Sequence, residues 1–203
     1  MSAHAATADG HHAGGASASA YHESLLRSPV FLGMVMFLGS EIMLFGSFFT
    51  IFFYIRFTHT AWPPAGIDLP VEATGINTAI LISSSFTMHW ALVSIKRDQR
   101  FGLIVGLFLT LAMGLTFLTL QVHEYLSLNF TPSNNAFASG FYSLTGLHGM
   151  HVFVGATLLT IAFVRACRGH YSGAEHIGLE VTGLYWHFVD VVWILLYTVV
   201  YLL

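Results

Sequence analysis

The sequence predicts an all-α fold, an integral membrane bundle of five transmembrane helices with the N terminus inside and the C terminus outside. Composition is the first reason, because 55% of the 203 residues are hydrophobic, 8% are charged and the mean hydropathy is +0.70. Soluble domains usually carry about 25% charged residues. The second reason is that five apolar runs approach or exceed the roughly 20 residues that one crossing requires. The third is the placement of lysine and arginine, which predicts the orientation.

The N-terminal segment, residues 1–28, is rich in Ala, Gly, Ser and His and has no apolar period. It cannot bury enough apolar surface to offset the entropy of ordering, so we expect a disordered tail. A secretory signal would need a basic start and an apolar core, and the tail has neither. Its histidines lack the spacing of a defined metal site and are expected to be solvated. They are His4, His11, His12 and His22.

The first membrane helix is predicted from Pro29 to about Ile55, since proline suits a first helical turn and Arg56 closes the apolar run. A connector from Trp62 to Pro70 is too rich in proline to be helical and should lie at or outside the membrane surface. The other helices are predicted at about 74–95, 101–122, 137–164 and 177–203, which makes 29–203 one transmembrane domain. The lone Cys167 cannot form an internal disulfide and is expected to be passive.

Lysine and arginine are distributed unevenly between the two sides of a five-crossing topology. Six of the seven fall on the N-terminal side: Arg27, Lys96, Arg97, Arg100, Arg165 and Arg168. Only Arg56 lies opposite. Cytoplasmic loops are enriched in these residues, so the N terminus is predicted to be cytoplasmic. The net charge of −3 comes without a basic stripe, so no nucleic-acid partner is expected.

Glu41 lies about half-way along the first helix, with no cation within one helical turn. A carboxylate at bilayer depth costs several kcal/mol unless it is protonated, paired or turned toward protein. One interpretation is a carboxylate that handles protons or contacts lipid. The other is an interhelical hydrogen bond that fixes packing.

Two further pairs place ionisable groups within the membrane. His148 and His151 share a face of the fourth helix, and His187 and Asp190 share a face of the fifth. The favoured interpretation is interhelical polar packing, in which the histidines bond to Asp190 or to backbone carbonyls. Haem or metal ligation, with His89 as a further candidate, and proton transfer remain alternatives. No metal ligand is predicted.

Three charged residues fall near helix ends. Glu124 ends the third helix on the outer side, and Glu180 starts the fifth on the inner side. Both fit interfacial charges or interhelical polar packing, and Glu180 also meets the positive end of a helix dipole. Arg165, at the inner end of the fourth helix, suits an anionic lipid headgroup or serves only to set the topology.

One long run matches a known family. The stretch Tyr185 to Trp193, Tyr-Trp-His-Phe-Val-Asp-Val-Val-Trp, resembles the last helix of subunit III of the haem-copper cytochrome c oxidases. The resemblance covers nearly everything from Pro29 to the end. Its other segments are Ser40-Glu41, Trp62 to Ile67, Asn77-Thr78 ahead of Ser83 to Ser85, Gln121 with Glu124-Tyr125, Gly146 to His151, and His176, Gly178 and Glu180.

The resemblance implies an accessory subunit that holds no haem or copper, packs against the catalytic subunit I among other oxidase subunits, and supports its proton uptake. It implies bound phospholipid, haem and copper in the partner subunits, and cytochrome c as an indirect partner in respiratory electron transport. Glu41 matches the family's buried glutamate, and Arg165 a basic residue near lipid. The chain lacks two N-terminal helices of the seven-helix members, which puts in doubt a lipid cleft that they help to form. The five-helix form is similar to many bacterial subunits, so a multi-pass location in the bacterial plasma membrane is expected.

Three alternatives remain close to this interpretation or compete with it. Subunit III of quinol oxidases shares the short form and a His-rich tail, and the accessory protein of nitric oxide reductases shares the five-helix plan. The Trp-Pro-Pro segment and Gln121 to Tyr125 favour the cytochrome c branch. A di-haem membrane cytochrome would instead use as axial ligands His89, His148, His151 and His187.

Overall fold

The computed structural model describes residues 28–58, 64, 67, 69–172 and 176–203, and every regular element within them is helical. Five helices are long and apolar enough to cross a membrane, which confirms the predicted all-α class and the number of spans. The helices are α1 (Pro29–Thr58), α2 (Val71–Lys96), α3 (Arg100–Ser127), α4 (Ala136–Cys167) and α5 (Ile177–Tyr197), and a π-helical turn over Thr198–Leu202 continues α5. The predicted tail up to residue 27 and much of the proline-rich connector lie outside the described residues.

Several helices extend beyond the apolar runs that predicted them. α2 begins at Val71, three residues earlier than expected, and the carbonyl of Pro70 already accepts a hydrogen bond from the Thr74 N–H at 3.0 Å. α3 ends five residues later than expected. α4 begins directly after Asn135, whose side-chain oxygen caps the helix by accepting from the Ala138 N–H at 2.8 Å. Helical backbone satisfies its own polar groups at the membrane edge, so polar terminal residues remain helical.

Contacts between the segments that join consecutive helices show which helix ends lie together. The Lys96 ammonium pairs with Glu180 at 2.9 Å, and Arg100 donates to the Gly169 carbonyl at 3.0 Å. The α2–α3 turn and the α4–α5 connection therefore lie at the same end of the bundle. We call this the basic end, because its cations are Lys96, Arg97, Arg100, Arg165 and Arg168.

The closest helix approach joins α2 and α3. A Cβ atom placed on Gly106 would lie 2.8 Å from the Ala91 Cβ and 3.1 Å from the Ala91 Cα. One on Gly102 would lie 2.9 Å from the Ser94 Cβ. Small residues at both positions let the two backbones come together, as is usual for helices packed within membranes.

Trp186 of α5 occupies the middle of the bundle and is fully buried. Its ring fills space that Gly114 of α3 and Gly155 of α4 leave open, since a Cβ on either glycine would lie within 3.0 Å of the ring. Its indole N–H donates to Ser84 Oγ of α2 at 2.9 Å. One side chain thus connects four helices.

α1 is the peripheral helix. It packs against α4 and α5 through a narrow stripe whose buried members are Leu38, Phe45 and Phe52. Arg56, in its last turn, donates to the Leu203 carbonyl at 2.5 Å. Most of its remaining apolar side chains are exposed on the isolated chain.

Candidate functional sites within the membrane

The first site joins α1 to α4. Glu41 Oε2 lies 2.9 Å from His151 Nε2, and the two side chains are 13% and 12% exposed. The Phe45 ring packs on the imidazole with centroids 5.0 Å apart, and the Tyr185 hydroxyl donates to the His151 carbonyl at 3.2 Å. An interhelical hydrogen bond therefore accounts for Glu41 in the structure. A proton or lipid role for Glu41 stays a prediction.

The second ring nitrogen of His151 determines how many protons this pair holds. His151 Nδ1 lies 2.8 Å from the carbonyl oxygen of Leu147. A carbonyl only accepts, so Nδ1 carries a hydrogen. The bond between Nε2 and Glu41 Oε2 then contains one proton, either on the carboxyl or on the imidazole. The pair has no net charge in both cases, which explains a carboxyl group at membrane depth without lysine or arginine beside it.

His148 packs through its ring rather than through hydrogen bonds. Neither ring nitrogen has a hydrogen-bond partner among the described residues, and the residue is 1% exposed. The imidazole lies on Trp193, with centroids 4.8 Å apart and planes 30° apart, and meets Phe117 at 6.0 Å. The expected hydrogen bond from His148 to Asp190 or to a carbonyl is therefore not formed, because aromatic rings enclose it on α3 and α5.

His187 and Asp190 are joined through Ser85 of α2. The Ser85 hydroxyl donates to Asp190 Oδ2 and lies 3.1 Å from His187 Nδ1. Since the serine proton goes to the carboxylate, Nδ1 is the donor in the second bond, and the other ring nitrogen of His187 is left as an acceptor. Asp190 Oδ1 has no partner in the described part of the chain. These residues link α2 to α5.

Glu124 lies inside the bundle, at the end opposite the basic end. Its carboxylate accepts from the Thr74 hydroxyl at 2.9 Å and from the Tyr201 hydroxyl at 2.7 Å, and the residue is 7% exposed. These contacts agree with interhelical polar packing rather than with a simple interfacial charge, because two hydroxyl donors solvate this carboxylate between α2, α3 and the π-helical turn. A cavity of about 210 Å³ opens beside it.

Glu180 and Arg165 lie at the basic end. Glu180 pairs with Lys96 at 2.9 Å, and His176 Nε2 lies 3.4 Å from the same carboxylate oxygen. The exposed Arg165 guanidinium lies over the Tyr171 ring, 5.3 Å from its centroid. Burial raises the pKa of the Tyr171 phenol, and the guanidinium acts in the opposite direction. Binding of lipid by Arg165 stays a prediction.

Comparison with known proteins identifies the family. The family model for cytochrome c oxidase subunit III matches residues 12–203. The chain belongs to the cytochrome c oxidase subunit III family. It is 44% identical over 173 residues to cytochrome c oxidase subunit 3 of Thermostichus vulcanus, a match that covers 85% of this chain and 86% of that protein. Identity is 37% with the Equus caballus protein of that name, over 89% of this chain and 72% of the relative, and 38% with that of Lemur catta, over 89% and 69%.

Membership in the subunit III family confirms the resemblance seen in the sequence. Its members are subunits of an oxidoreductase complex of the respiratory chain. The five spans agree with a multi-pass membrane subunit. The Tyr185 to Trp193 run lies in the central part of α5, where Trp186 packs among the other helices.

The side-chain arrangement of this subunit III does not suit haem ligation by two of the four candidate histidines. An axial ligand must present a free ring nitrogen to the iron of a macrocycle. His148 is enclosed by Trp193 and Phe117, and both nitrogens of His151 are hydrogen-bonded. Among the described residues, no three His, Cys, Asp or Glu side chains form a group suited to a metal ion.

Several hydroxyl groups essential to these sites were not predicted. Thr74, Ser85 and Tyr201 donate to the buried carboxylates, and Thr78 accepts from the Trp193 indole at 2.9 Å. These contacts could have been predicted from the spacing of hydroxyl residues along α2. The spacing repeats at three, four and seven residues and so places them toward α3 and α5. Aromatic residues and carboxylates on the facing helices then have donors or acceptors within reach.

Proposed function

We propose that this subunit III is an accessory, noncatalytic subunit of a proton-pumping haem-copper cytochrome c oxidase that packs against the catalytic subunit I and stabilises it. Haem and copper belong to the partner subunits in this proposal, and cytochrome c interacts with the complex without a site on this chain. The observation that carries the proposal is the use of intramembrane polar groups between helices. Glu41, Glu124 and Asp190 each form a hydrogen bond with a side chain on another helix.

Cytochrome c is the favoured electron donor of the complex. The relatives are named as cytochrome c oxidase subunits, which supports this donor over quinol. The same names favour an oxygen reductase over a nitric oxide reductase. A partner subunit with its own electron-entry site would complete the reaction.

The Glu41 and His151 pair is the proposed link to proton uptake by subunit I. The pair holds one proton without net charge, so the proton can move between the two groups without leaving a bare charge in the membrane. The variant Glu41→Gln keeps a hydrogen-bond donor for the imidazole but removes the acid. Glu41→Ala removes both. Proton uptake that is slowed by both variants, with assembly weakened only by Glu41→Ala, would support this role.

Phospholipid and the plasma membrane of a bacterium complete the proposed setting. The exposed apolar side of α1 suits lipid chains, and Arg165 at the basic end suits an anionic headgroup. The cations of the basic end favour a cytoplasmic location for that end and for the N terminus. Cysteine labelling from either side of sealed vesicles would test the orientation.

The accessory role is tested by comparing oxidase prepared with and without this chain. We expect the same haem content and the same initial rate of oxygen reduction per haem. The number of turnovers before inactivation should fall without the chain, because subunit I loses a stabilising partner. Loss of the haem spectrum, or an unchanged lifetime during turnover, would contradict the proposal.

A further inference from the structure

An exposed imidazole at membrane depth marks one face of the chain. His89 of α2 is exposed and lies seven residues before Lys96, which corresponds to about 10 Å along the helix. This distance places it well inside a hydrocarbon layer about 30 Å thick. A histidine side chain is too short to reach the headgroups from there. Ionisable groups at such depth turn toward protein or water rather than toward lipid.

The groups next to His89 form a polar centre. Ser85 lies one turn away on the same face of α2 and contacts His187 and Asp190 of α5. His89 and His187 are close enough to interact electrostatically. His187 offers a free acceptor nitrogen, because its Nδ1 donates to Ser85. The exposed His89 and the half-buried His187 therefore place two imidazoles of neighbouring helices at one place on the surface.

Apolar side chains flank this polar centre. Phe86 on α2 is 72% exposed, and Val191 and Ile194 on α5 are 56% and 41% exposed. They share helix faces with His89 and His187 by spacings of three, four and seven residues. The polar centre lies between apolar residues of α2 and α5. One further membrane helix could pack along both helices and cover it. We call this surface the α2/α5 seam; it comprises Phe86 and His89 of α2 and His187, Val191 and Ile194 of α5.

We infer that the α2/α5 seam binds a transmembrane helix of the catalytic subunit that carries a hydroxyl or carboxamide side chain at the depth of His89. Such side chains both donate and accept, so they can donate to the free nitrogen of His187 and can either donate to or accept from His89. Lipid chains can do neither. The exposed flank of α1 is apolar and is satisfied by lipid, so polar complementarity distinguishes the seam from it. This inference rests on the proposed accessory role.

Photo-cross-linking in the intact complex tests the location. Phe86 is replaced by the photoreactive p-benzoylphenylalanine, and matched controls carry the same replacement at Phe153 on α4 and Phe108 on α3, which are 64% and 56% exposed. We expect a cross-link to the catalytic subunit from position 86 and far less from the controls. Cross-links to the catalytic subunit from a control position but not from position 86 would contradict the α2/α5 seam as the binding face. They would still agree with the accessory role. Cross-links from 86 only to lipid, to a smaller subunit or to a second copy of this chain would also contradict the α2/α5 seam. Absence of the catalytic subunit from the purified complex would instead remove the accessory role.

Substitution of His89 tests the chemistry. The variant His89→Leu should weaken binding of the chain to the complex by about 3-fold and at most about 18-fold, the mean and maximum for one interhelical hydrogen bond, and so lower the fraction retained. The variant His89→Gln, which can donate and accept, should recover most of it. The matched control Phe153→Leu should leave retention unchanged. Unchanged or improved retention with His89→Leu would mean that lipid covers this face and would overturn the inference.

Discussion

Single residues in this subunit III are governed by the lack of water in the membrane interior. A buried polar atom must find its partner within the protein, because lipid chains offer none. Glu41 and His151 meet this requirement with one shared proton, and Glu124 meets it with two hydroxyl donors. Both arrangements pair a carboxyl group with side chains outside its own helix.

The coupling between Glu41 and His151 can be measured by a double-mutant cycle. Glu41→Ala and His151→Ala should each lower thermal stability of the complex, and the double variant should lose less than the sum. We expect a coupling of about 0.6 kcal/mol and at most about 1.7 kcal/mol, the mean and maximum measured for hydrogen bonds between membrane helices. The control Ser40→Ala removes a hydroxyl that bonds only to its own helix, at the Phe37 carbonyl. Strictly additive losses would show that the contact does not join α1 to α4.

Ser85 offers a second residue-scale prediction. The variant Ser85→Ala leaves the Asp190 carboxyl without its donor and should destabilise the chain by about 1–3 kcal/mol. Ser83→Ala is the matched control, since Ser83 donates only to Ala79 in the same helix. Thermal unfolding of the detergent-solubilised complex measures both. Equal stability of the two variants would contradict the role given to Ser85.

For single residues, the sequence predicted which polar side chains lie between helices. It did not predict the residues that they contact. Asp190 and His187 were expected to make contacts between helices, and both contact Ser85. The hydrogen bond expected for His148 is not formed, because its surroundings depend on which helices are neighbours. Helical spacing reports the face of one helix but not the residues opposite that face.

The helices pack through a few small residues. Gly102 and Gly106 bring α3 against α2, while Gly114 and Gly155 make room for Trp186. In a membrane the apolar surface of a helix is already satisfied by lipid, so association depends on close packing and hydrogen bonds. A glycine at a helix contact is therefore more sensitive to replacement than one on an open face.

Two glycines of α4 test this difference. A Cβ on Gly155 would lie 2.9 Å from Trp186, whereas nothing lies within 4 Å of one on Gly149. Gly155→Leu should destabilise the bundle by about 1–3 kcal/mol or more, because neighbours must move to accommodate the side chain. Gly149→Leu should be tolerated. Protease resistance in detergent compares the two, and similar resistance would argue against the packing described for Trp186.

The number, order and type of the helices could be predicted from the sequence because each crossing needs its own apolar run. Their ends were less accurate, since α2 begins at Val71 and α3 ends at Ser127, beyond those runs. Helix neighbours could not be read from apolar patterns, because lipid-facing and buried positions are equally apolar. The wedge formed by Trp186 is visible only in three dimensions.

The whole molecule combines a tightly packed group of four helices with a peripheral α1. Glu41 and Glu124 are paired within the chain, while the α2/α5 seam keeps the exposed His89 and the half-buried His187 at its surface. This division suits a subunit whose interior is structural and whose surface binds a partner. Family membership agrees with this account, although neither the partner nor its contact face could be derived from composition.

The most direct test is purification in mild detergent through a tag on this chain, followed by a reduced-minus-oxidised spectrum and a subunit gel. We predict that a large membrane subunit carrying haem and copper purifies with the chain, and that all colour leaves once this subunit is stripped away. Haem retained by the isolated chain would contradict the account, because its membrane histidines would then be ligands rather than packing residues.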